Sequence, residues 1–511
     1  MESKRKTIMF PAHGTLIDLA AEFAQELKSR RGIDSIVLLQ GTRDAIRARR
    51  MDIFAEVVDV VADLRLDSSR ENLARNLQAL TAFERKYGGP SVWQFIVQDA
   101  WWRVKHYSYP QVLQYMSHAV EVLESLFARW DVIAAVGELT SPVYRLVHQM
   151  FGQQRPYLCP MTARFFHRIY FDSDVYLRWE ECLRVYRRFM ENGFSQEVDA
   201  MVAPVLQGIR ESRLRPVYMD VNFKRAAKDS GLRRVRPRVW AIYAEDIWYN
   251  NIIDGPKSPQ GLHWTYWLPP RKLARWAQWT FRRRYYHRRA ITRIPPNARL
   301  ALFLPTTEPE YTLDVQGWPF TDQASLVRSV AQSLPVDMLL LVKDHQLMVG
   351  PRSIDFYRRI LKLPNVRLVD ERISSQDLLR ASKIVFTITG TVALEAVCCG
   401  VPAMMFGRVF INELEGVTVV RDLYELPAAI ESALKGTEVD FDRSARAMLA
   451  AMYACSYPGR IDAHMLDPGE MPPGNRLDLG NAIEEELGRR GLLAGDPGEE
   501  PLVRTQSSFL P

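Results

Sequence analysis

The sequence predicts an α/β protein with two Rossmann-like domains, the first of which carries helical insertions. Two observations lead to this fold class. With 511 residues and 47% hydrophobic content, the chain is long enough for at least two domains with sizeable cores. In both halves, short apolar runs typical of strands in a parallel sheet alternate with segments typical of helices.

The N-terminal half, residues 1–270, is expected to form the first α/β domain. It opens with a strand, a turn at Pro11–Thr15 and an amphipathic helix at Leu16–Ser29. Its predicted strands are Thr7–Phe10, Ile36–Gln40 and Val132–Val136. The helical insertions are expected at about residues 68–128 and 174–213, where charged and aromatic residues are frequent.

A second series of strands and helices predicts a C-terminal α/β domain over residues 298–435. Its predicted strands are Leu300–Leu304, Met338–Val342, Val366–Val369, Ile384–Phe386, Ala403–Phe406 and Val417–Val420. Its predicted helices include Gln323–Ser333, Ile354–Leu361, Ser375–Ala381 and Leu426–Leu434. Residues 436–490 are expected to form C-terminal helices that cross back to the first domain. Residues 491–511 are expected to be a disordered tail.

Composition excludes several classes of protein. The five cysteines form no Cys-x-x-Cys pair, so neither a disulfide framework nor a zinc site of cysteines is predicted. No apolar run approaches the roughly 20 residues of a membrane-spanning helix. The N-terminus shows no apolar core of a signal peptide. A cytoplasmic protein is expected.

Positive charge is concentrated in the segment between the two domains, residues 271–297. Residues 271–293 hold nine Lys or Arg and no acidic residue, mixed with aromatic residues. Such a mixture suits an anionic membrane surface on the inner face of the plasma membrane. The alternatives are a solvated helix whose aromatic residues pack on its own protein and, with the least support, a nucleic-acid contact. The proposed membrane contacts are Trp276, Trp279, Arg282, Arg283 and Arg284.

The segment Ile384–Gly407, IVFTITGTVALEAVCCGVPAMMFG, has the layout of a phosphate and ribose site. Gly390 permits a tight turn between a strand and a helix, and Thr389 or Thr391 can cap that helix. The start of such a helix suits an anionic phosphate. Glu395, one turn further in, can accept hydrogen bonds from ribose hydroxyls. The alternative interpretation is an ordinary βαβ unit with no ligand.

Lys343 and His345 follow the predicted strand Met338–Val342 and lie two residues apart, so in an extended chain they point to the same side. A lysine and an imidazole at a strand end can neutralise a diphosphate. Taken alone, such a pair is more often two ordinary polar loop residues.

These motifs in combination resemble the capsule polysaccharide biosynthesis family. The resemblance rests on the order of KDH at Lys343–His345, LPNVRLVD at Leu363–Asp370, SSQDLL at Ser374–Leu379 and TITGTVALEAVCCGVPAMMFG at Thr387–Gly407. That family is similar to bacterial glycosyltransferases of the GT-B type, including the Kdo transferases of capsule and lipopolysaccharide assembly.

The resemblance implies a GT-B arrangement in which the C-terminal domain binds a nucleotide sugar and the N-terminal domain binds a glycan or glycolipid acceptor. It implies nucleotide-sugar contacts by Lys343, His345, Thr389, Gly390, Thr391 and Glu395. By the same resemblance, a CMP-activated acidic sugar such as Kdo is favoured over a UDP sugar, and no cofactor is expected beyond this substrate.

One position departs from the family. The family commonly has His-Pro where this chain has His345-Gln346, and Gln346 is expected to leave the loop looser than proline would. This departure leaves open a non-catalytic polysaccharide-binding or export partner with the same fold. A nonhydrolysing sugar-nucleotide epimerase is a third alternative.

An inverting transferase needs a base for the acceptor hydroxyl and positive charge for the departing phosphate. Lys343, His345 and the helix start at Thr391 are expected to supply the charge without a metal. His13 and Glu138 each follow a predicted strand and are the candidate bases, although His13 can equally bond to its own turn and Glu138 can equally cap a helix. Candidates of lower rank are Glu308, Glu310 and Asp314. The basic cluster Arg164, His167 and Arg168 is expected to bind an anionic acceptor or to be a solvated loop.

Overall fold

The computed structural model describes residues 5–67, 69–99, 108–152, 154–214, 216, 244–245, 248–254, 269–436, 439–461 and 472–493. The chain divides into two compact units. The first consists of the described parts of Met1–Val175, Val217–Leu268 and Ser456–Pro511, and the second of those of Tyr176–Pro216 and Pro269–Cys455. The predicted tail lies, from residue 494 onward, outside the described residues.

The first unit is built on a seven-stranded sheet. In spatial order, its strands are Tyr457–Pro458, Arg168–Asp172, Tyr157–Thr162, Asp131–Val136, Lys6–Pro11, Asp34–Leu39 and Glu56–Asp59. The last five strands are parallel, whereas Arg168–Asp172 is antiparallel to both of its neighbours. Among the described residues, the α-helices of this unit are Leu16–Arg31, Thr42–Arg50, Arg70–Tyr87, Val92–Val97, Tyr109–Arg129, Pro142–Phe151 and Asn475–Arg489.

The second unit contains a six-stranded sheet in which every pair is parallel. In spatial order, its strands are Val417–Val419, Ala403–Met405, Ser382–Thr387, Arg299–Phe303, Met338–Lys343 and Val366–Val369. Its helices are Glu180–Asn192, Gln196–Arg210, Pro269–Arg289, Gln323–Ser333, Ile354–Leu361, Ser375–Ala381, Val392–Cys398, Leu426–Lys435 and Phe441–Ala454. The α/β class with two sheets rich in parallel strands is confirmed.

Strand order gives each sheet a switch point, where the chain leaves one side of the sheet and continues on the other. In the first sheet this point lies between Lys6–Pro11 and Asp131–Val136. In the second it lies between Arg299–Phe303 and Ser382–Thr387. Ligands of open α/β sheets bind outside the carboxyl ends of the strands at such a point.

The boundaries of the units differ from those expected from the sequence. The helices Glu180–Asn192 and Gln196–Arg210, expected in the first domain, belong to the second unit. They pack on the helix Phe441–Ala454, where the Tyr186 hydroxyl lies 3.1 Å from Ser444 Oγ. The chain then returns to the first unit, where Arg30 pairs with Glu484 of the helix Asn475–Arg489 at 3.0 Å.

No helix in the described part of the chain combines the length and the apolar character that crossing a bilayer requires.

Candidate functional site

The turn after the strand Ser382–Thr387 lies at the switch point of the second sheet. Thr387 Oγ1 accepts a hydrogen bond of 3.2 Å from the Gly390 amide. A Cβ on residue 390 would approach Thr387 Oγ1 to 2.6 Å, which no side chain tolerates without a shift. Gly390 is therefore required by the closeness of this turn.

Two other glycines hold a neighbouring segment against the turn. A Cβ on Gly407 would overlap Thr389 Cγ2, and a Cβ on Gly317 would lie 2.8 Å from Ile388 Cγ2. The Arg408 amide also donates to the Gln316 carbonyl at 2.8 Å. Gly317 was not predicted as part of the site, and the sequence gives it no motif of its own.

Thr389 presents a hydroxyl that the fold leaves unused. The residue is only 7% exposed, and its Oγ1 is buried without a hydrogen-bond partner in the described structure. A buried hydroxyl without a partner is unfavourable in free energy. A ligand oxygen bound at this turn would remove that cost. Thr391 precedes the seven-residue helix Val392–Cys398 and does not cap it with its side chain.

Glu395 lies inside that helix and is 8% exposed. Its Oε2 accepts a hydrogen bond of 3.3 Å from Gln376 Nε2. Gln376 belongs to the helix Ser375–Ala381, whose N-cap Ser374 accepts from the Asp377 amide. The contact of Gln376 with Glu395 was not foreseen from the sequence.

Lys343 ends the strand Met338–Lys343 and is also buried, with 7% exposure. Its Nζ donates to Ser375 Oγ at 2.6 Å. Lys343 and Glu395 therefore both contact the first turn of the helix Ser375–Ala381. The structure brings these two predicted site residues together through Ser375 and Gln376.

His345 is held as a hydrogen-bond donor. Its Nδ1 accepts from the Leu347 amide at 3.2 Å, a tautomer assigned from this hydrogen bond, so the ring proton lies on Nε2. Burial lowers the pKa of His345, and the charges of Lys343 and Arg352 lower it further against the opposing effect of Asp344. The imidazole is therefore neutral at pH 7 and half-buried, with one N–H to offer.

The buried Asp344 holds the loop of His345 in place through hydrogen bonds. Its carboxylate accepts from Arg352 Nε at 2.8 Å, from the Tyr357 hydroxyl at 2.6 Å and from the His345 amide at 2.8 Å. Arg352 also pairs with Glu308 at 3.0 Å. Sequence reasoning missed this buried network, although Asp344 lies between the two predicted residues of the KDH motif. Glu308, a candidate base of lower rank, is a partner of Arg352 in this network.

Gln346 does not leave the loop loose. Its Nε2 donates to the Glu371 carbonyl at 3.3 Å, and it begins the short 3₁₀ turn Gln346–Met348. His345 has φ −67° and ψ 138°, the extended backbone that a residue before proline adopts. The backbone is thus the one that the family's proline would require, with a side-chain hydrogen bond in place of the ring.

In the first unit, His13 and Glu138 follow the two strands that flank the switch point. His13 Nδ1 contacts Glu138 Oε1 in an ion pair. Gly137 makes this possible, because a Cβ there would overlap the Pro11 carbonyl. Glu138 does not cap the next helix: that role belongs to Ser141, which accepts from the Val143 amide.

The surroundings of His13 are acidic. Burial alone would lower the pKa of His13, but the Glu138 carboxylate outweighs it, with smaller contributions from Asp44 and Asp99, and raises the pKa to about 9. At pH 7 the pair is therefore an imidazolium beside a carboxylate. An apolar cavity opens beside Glu138, lined by Phe10, Leu16, Leu19, Phe23 and Ile461 among others.

Residues 271–453 match the model of the family described as capsule polysaccharide biosynthesis protein. The match is to this segment of the chain, which resembles that family there. The segment contains every residue of the site at the second sheet. The resemblance expected from the motifs is thus confirmed for residues 271–453.

Similar solved structures include two KpsC transferases of Thermosulfurimonas dismutans. The beta Kdo 2,4 transferase is 13% identical with a TM-score of 0.38, over 69% of this chain and 87% of that one. The beta Kdo 2,7 transferase is 10% identical with a TM-score of 0.38, over 72% and 90%. UDP-GlcNAc 2-epimerase from Neisseria meningitidis is 9% identical with a TM-score of 0.25, over 95% and 98%. No curated protein matches the sequence.

The basic cluster expected to bind the acceptor is not a single surface. Arg168 is buried in the first sheet, where its Nε donates to Ser456 Oγ at 3.0 Å and a second nitrogen donates to the Ser456 carbonyl. It therefore joins two strands and is not available to an acceptor, contrary to the prediction. Arg164 and His167 lie in the turn between Tyr157–Thr162 and Arg168–Asp172, and His167 is exposed.

The basic segment predicted from the sequence forms the helix Pro269–Arg289. This helix lies at the start of the segment that matches the family model. Its inner face carries Tyr286, which is fully buried, and Arg282, which donates to the Pro351 carbonyl at 2.7 Å. Trp279 packs beside Gly350, whose φ of +113° favours glycine. Arg282 and Trp279 are both partly buried on this side of the helix, and their predicted membrane role stays a prediction.

The opposite face of the helix is exposed and carries both aromatic and basic residues. Leu273, Trp276 and Phe281 are each at least 60% exposed, and Arg283 and Arg284 are exposed beside them. Of the predicted membrane contacts, Trp276, Arg283 and Arg284 lie on the outside. The sequence did not single out Leu273, and it placed Phe281 only among the aromatic residues of the segment.

Proposed function

We propose that the protein is a glycosyltransferase of bacterial capsule or surface polysaccharide assembly, which transfers a sugar from a nucleotide sugar to a glycan or glycolipid acceptor. The observation that carries this proposal is that Lys343 and Glu395 both contact the first turn of the helix Ser375–Ala381. His345 lies in the loop after Lys343, and Thr389 lies in the turn before the helix that holds Glu395. All four lie within the segment that matches the capsule polysaccharide family.

Each of these groups has a defined task in the proposed complex. The Lys343 ammonium and the His345 Nε2–H would bind the phosphate that joins nucleotide and sugar, since both donate to anionic oxygens. The Thr389 hydroxyl would give its unused hydrogen bond to the same group. Glu395 would accept hydrogen bonds from ribose hydroxyls, with Gln376 holding its carboxylate in place.

The same groups support departure of the nucleotide. When the bond from sugar to phosphate breaks, negative charge grows on the phosphate oxygen, and fixed positive charge stabilises that transition state most. We propose inversion at the sugar carbon by direct attack of the acceptor hydroxyl, without a catalytic metal. The donor we favour is a CMP-activated acidic sugar such as Kdo, on the resemblance of the motifs.

Glu138 is the proposed base. A base must be unprotonated to accept the acceptor's proton, and a His13 pKa of about 9 keeps this imidazole protonated at pH 7. Glu138, ion-paired to His13 and hydrogen-bonded by Thr140 Oγ1 at 2.8 Å, is a carboxylate held in one orientation. His13 then acts as a positioning residue for Glu138.

A cytoplasmic location, peripheral on the inner face of the plasma membrane, forms part of the proposal. The exposed face of the helix Pro269–Arg289 combines aromatic side chains with arginines, which suits the headgroup region of an anionic bilayer. Sedimentation with liposomes of phosphatidylglycerol and phosphatidylcholine at low salt tests this point. Trp276→Ser should reduce binding, whereas no binding by the parent protein would contradict it.

The transferase activity itself is tested with a panel of CMP, UDP and GDP sugars, each incubated with the protein and an acceptor extract of capsule glycolipids. Mass spectrometry should detect a product heavier by one sugar residue with one nucleotide class. Thermal protection by a nucleotide without any product would favour the non-catalytic partner. Isomerisation of the donor without transfer would favour the epimerase.

A further inference from the structure

A cluster of one histidine and two carboxylates lies behind the loop that carries His345. His287, near the end of the helix Pro269–Arg289, places Nδ1 3.5 Å from Asp370 Oδ2 and 3.6 Å from Glu371 Oε2. The three ligand atoms all lie within 4.8 Å of one another. The transferase site proposed above uses none of these side chains.

The hydrogen bonding of the cluster is incomplete. Glu371 is 4% exposed, and its Oε2 is buried without a hydrogen-bond partner in the described part of the chain. His287 Nδ1 is likewise without a hydrogen bond among the described residues. At 3.5 to 3.6 Å, the contacts between them are too long for hydrogen bonds. Glu371 Oε2 and His287 Nδ1 therefore each need a further binding partner, and a group bound between them would contact both atoms.

The two distances from His287 Nδ1 fit a shared cation. Zinc binds histidine nitrogen and carboxylate oxygen at about 2.0 to 2.2 Å, so two ligands of a tetrahedral ion lie about 3.4 Å apart. A single imidazole with two carboxylates is a donor set for zinc and its neighbours in the first transition row, whereas calcium and magnesium prefer oxygen alone. Two cationic groups approach the cluster, namely Arg372 on Asp370 at 2.6 Å and Arg283 on Glu371 at 3.7 Å. Both side chains are more than half exposed, so solvent screens their charge.

We infer that His287, Asp370 and Glu371 form a binding site for a divalent first-row transition cation, with Zn²⁺ as its representative. The cation would join the end of the helix Pro269–Arg289 to the segment that follows the strand Val366–Val369. Hydrogen bonds already join that segment to the helix and to the loop of His345. Tyr286 of the helix donates to the Val369 carbonyl, and Gln346 of the loop donates to the Glu371 carbonyl. The bound ion would thus brace the membrane-facing helix and the loop of His345 against the same strand end.

The test uses full-length protein freed of metal by a chelator and titrated with Co²⁺, whose visible absorption reports coordination by nitrogen and oxygen. We expect saturable binding of one ion per chain, displaced by Zn²⁺ and not by Mg²⁺ or Ca²⁺. His287→Ala and Glu371→Gln should each weaken binding by about tenfold or more. His118→Ala, which removes an imidazole of the first unit, should bind as the parent does.

A second readout is the melting temperature. It should rise with Zn²⁺ concentration in the parent and in His118→Ala, and not in His287→Ala, because a ligand stabilises the folded state that binds it. If His287→Ala fails to fold by circular dichroism, Glu371→Gln decides the matter. Absence of saturable binding in the parent, or unchanged affinity in the variant that folds, would overturn the inference.

Discussion

The switch points of the two sheets are built for opposite tasks. At the second sheet, Lys343 and the neutral His345 offer positive charge and N–H groups, and Thr389 offers a free hydroxyl. At the first sheet, the Glu138 carboxylate pairs with the His13 imidazole, and the charges of Asp44 and Asp99 also raise its pKa. Equivalent positions in the two sheets therefore favour an anionic ligand on one unit and a bound proton on the other.

The difference suggests a division of labour within the proposed reaction. A leaving phosphate requires fixed positive charge, whereas an attacking hydroxyl requires a group that accepts its proton. Four substitutions test the two switch points. They are given from the largest expected effect to the smallest.

Glu138→Gln should lower kcat by about 10²- to 10⁴-fold, because the amide keeps the shape of the side chain and cannot accept a proton. Nucleotide affinity should be unchanged, since Glu138 lies in the first unit. Steady-state kinetics with the cognate donor measure the first quantity and calorimetry the second. A variant with the kcat of the parent would remove Glu138 from the reaction.

Asp344→Ala should destabilise the second unit by about 3–5 kcal/mol, because it leaves the Arg352 guanidinium, 2% exposed, with Glu308 as its remaining carboxylate partner. Urea unfolding followed by circular dichroism measures this. The matched control is Glu431→Ala, which removes one partner of an exposed pair with Lys435. There the expected change is within about 0.5 kcal/mol. Equal effects at the two sites would show that the Asp344 network does not support the loop.

Glu395→Ala should weaken nucleotide binding by about 1–3 kcal/mol through loss of the ribose hydrogen bonds. Glu431→Ala, which changes an exposed residue of the helix Leu426–Lys435, again serves as control. Titration calorimetry with the nucleotide that protects the parent gives both values. Unchanged affinity in Glu395→Ala would place the ribose elsewhere.

The His13–Glu138 pair should make stability depend on pH. Since the pKa of His13 is raised from 6.5 to about 9 in the folded protein, its contribution is complete below pH 6.5 and is lost as pH rises through 9. The difference in melting temperature between the parent and His13→Gln should therefore shrink from pH 6.5 to pH 9. A difference that is constant over this range would contradict the raised pKa.

The second unit was largely predictable because its information is local. The helices Gln323–Ser333, Ile354–Leu361 and Ser375–Ala381 have the bounds that the sequence predicts. The site residues there lie within one continuous segment, so motif order and strand ends were sufficient to group Lys343 with Glu395. The motifs did not reveal the buried partners of these residues, which are Asp344 with Arg352 and Gln376. A single polar residue in the sequence carries no signal that its side chain is buried.

The first unit was harder because its contacts join distant parts of the chain. Arg168 donates a hydrogen bond to Ser456, which lies 288 residues later in the chain. No local sequence pattern predicts this contact. The strands Tyr157–Thr162 and Arg168–Asp172 were not predicted. Pro160 interrupts the strand pattern of the first, and the basic turn between them was interpreted as a loop. His13 and Glu138 were each predicted from a strand end, but their contact depends on strand order, which brings the two strand ends side by side.

The central claim is that the second sheet's switch point binds the donor phosphate, and Lys343→Met tests it most directly. This change removes the ammonium and keeps the apolar length of the side chain. Calorimetry with the protecting nucleotide should show affinity reduced by at least about tenfold, as expected for loss of a charged hydrogen bond, while the exposed Lys362→Met binds as the parent does. Equal affinity in Lys343→Met and the parent would contradict the assignment of this site.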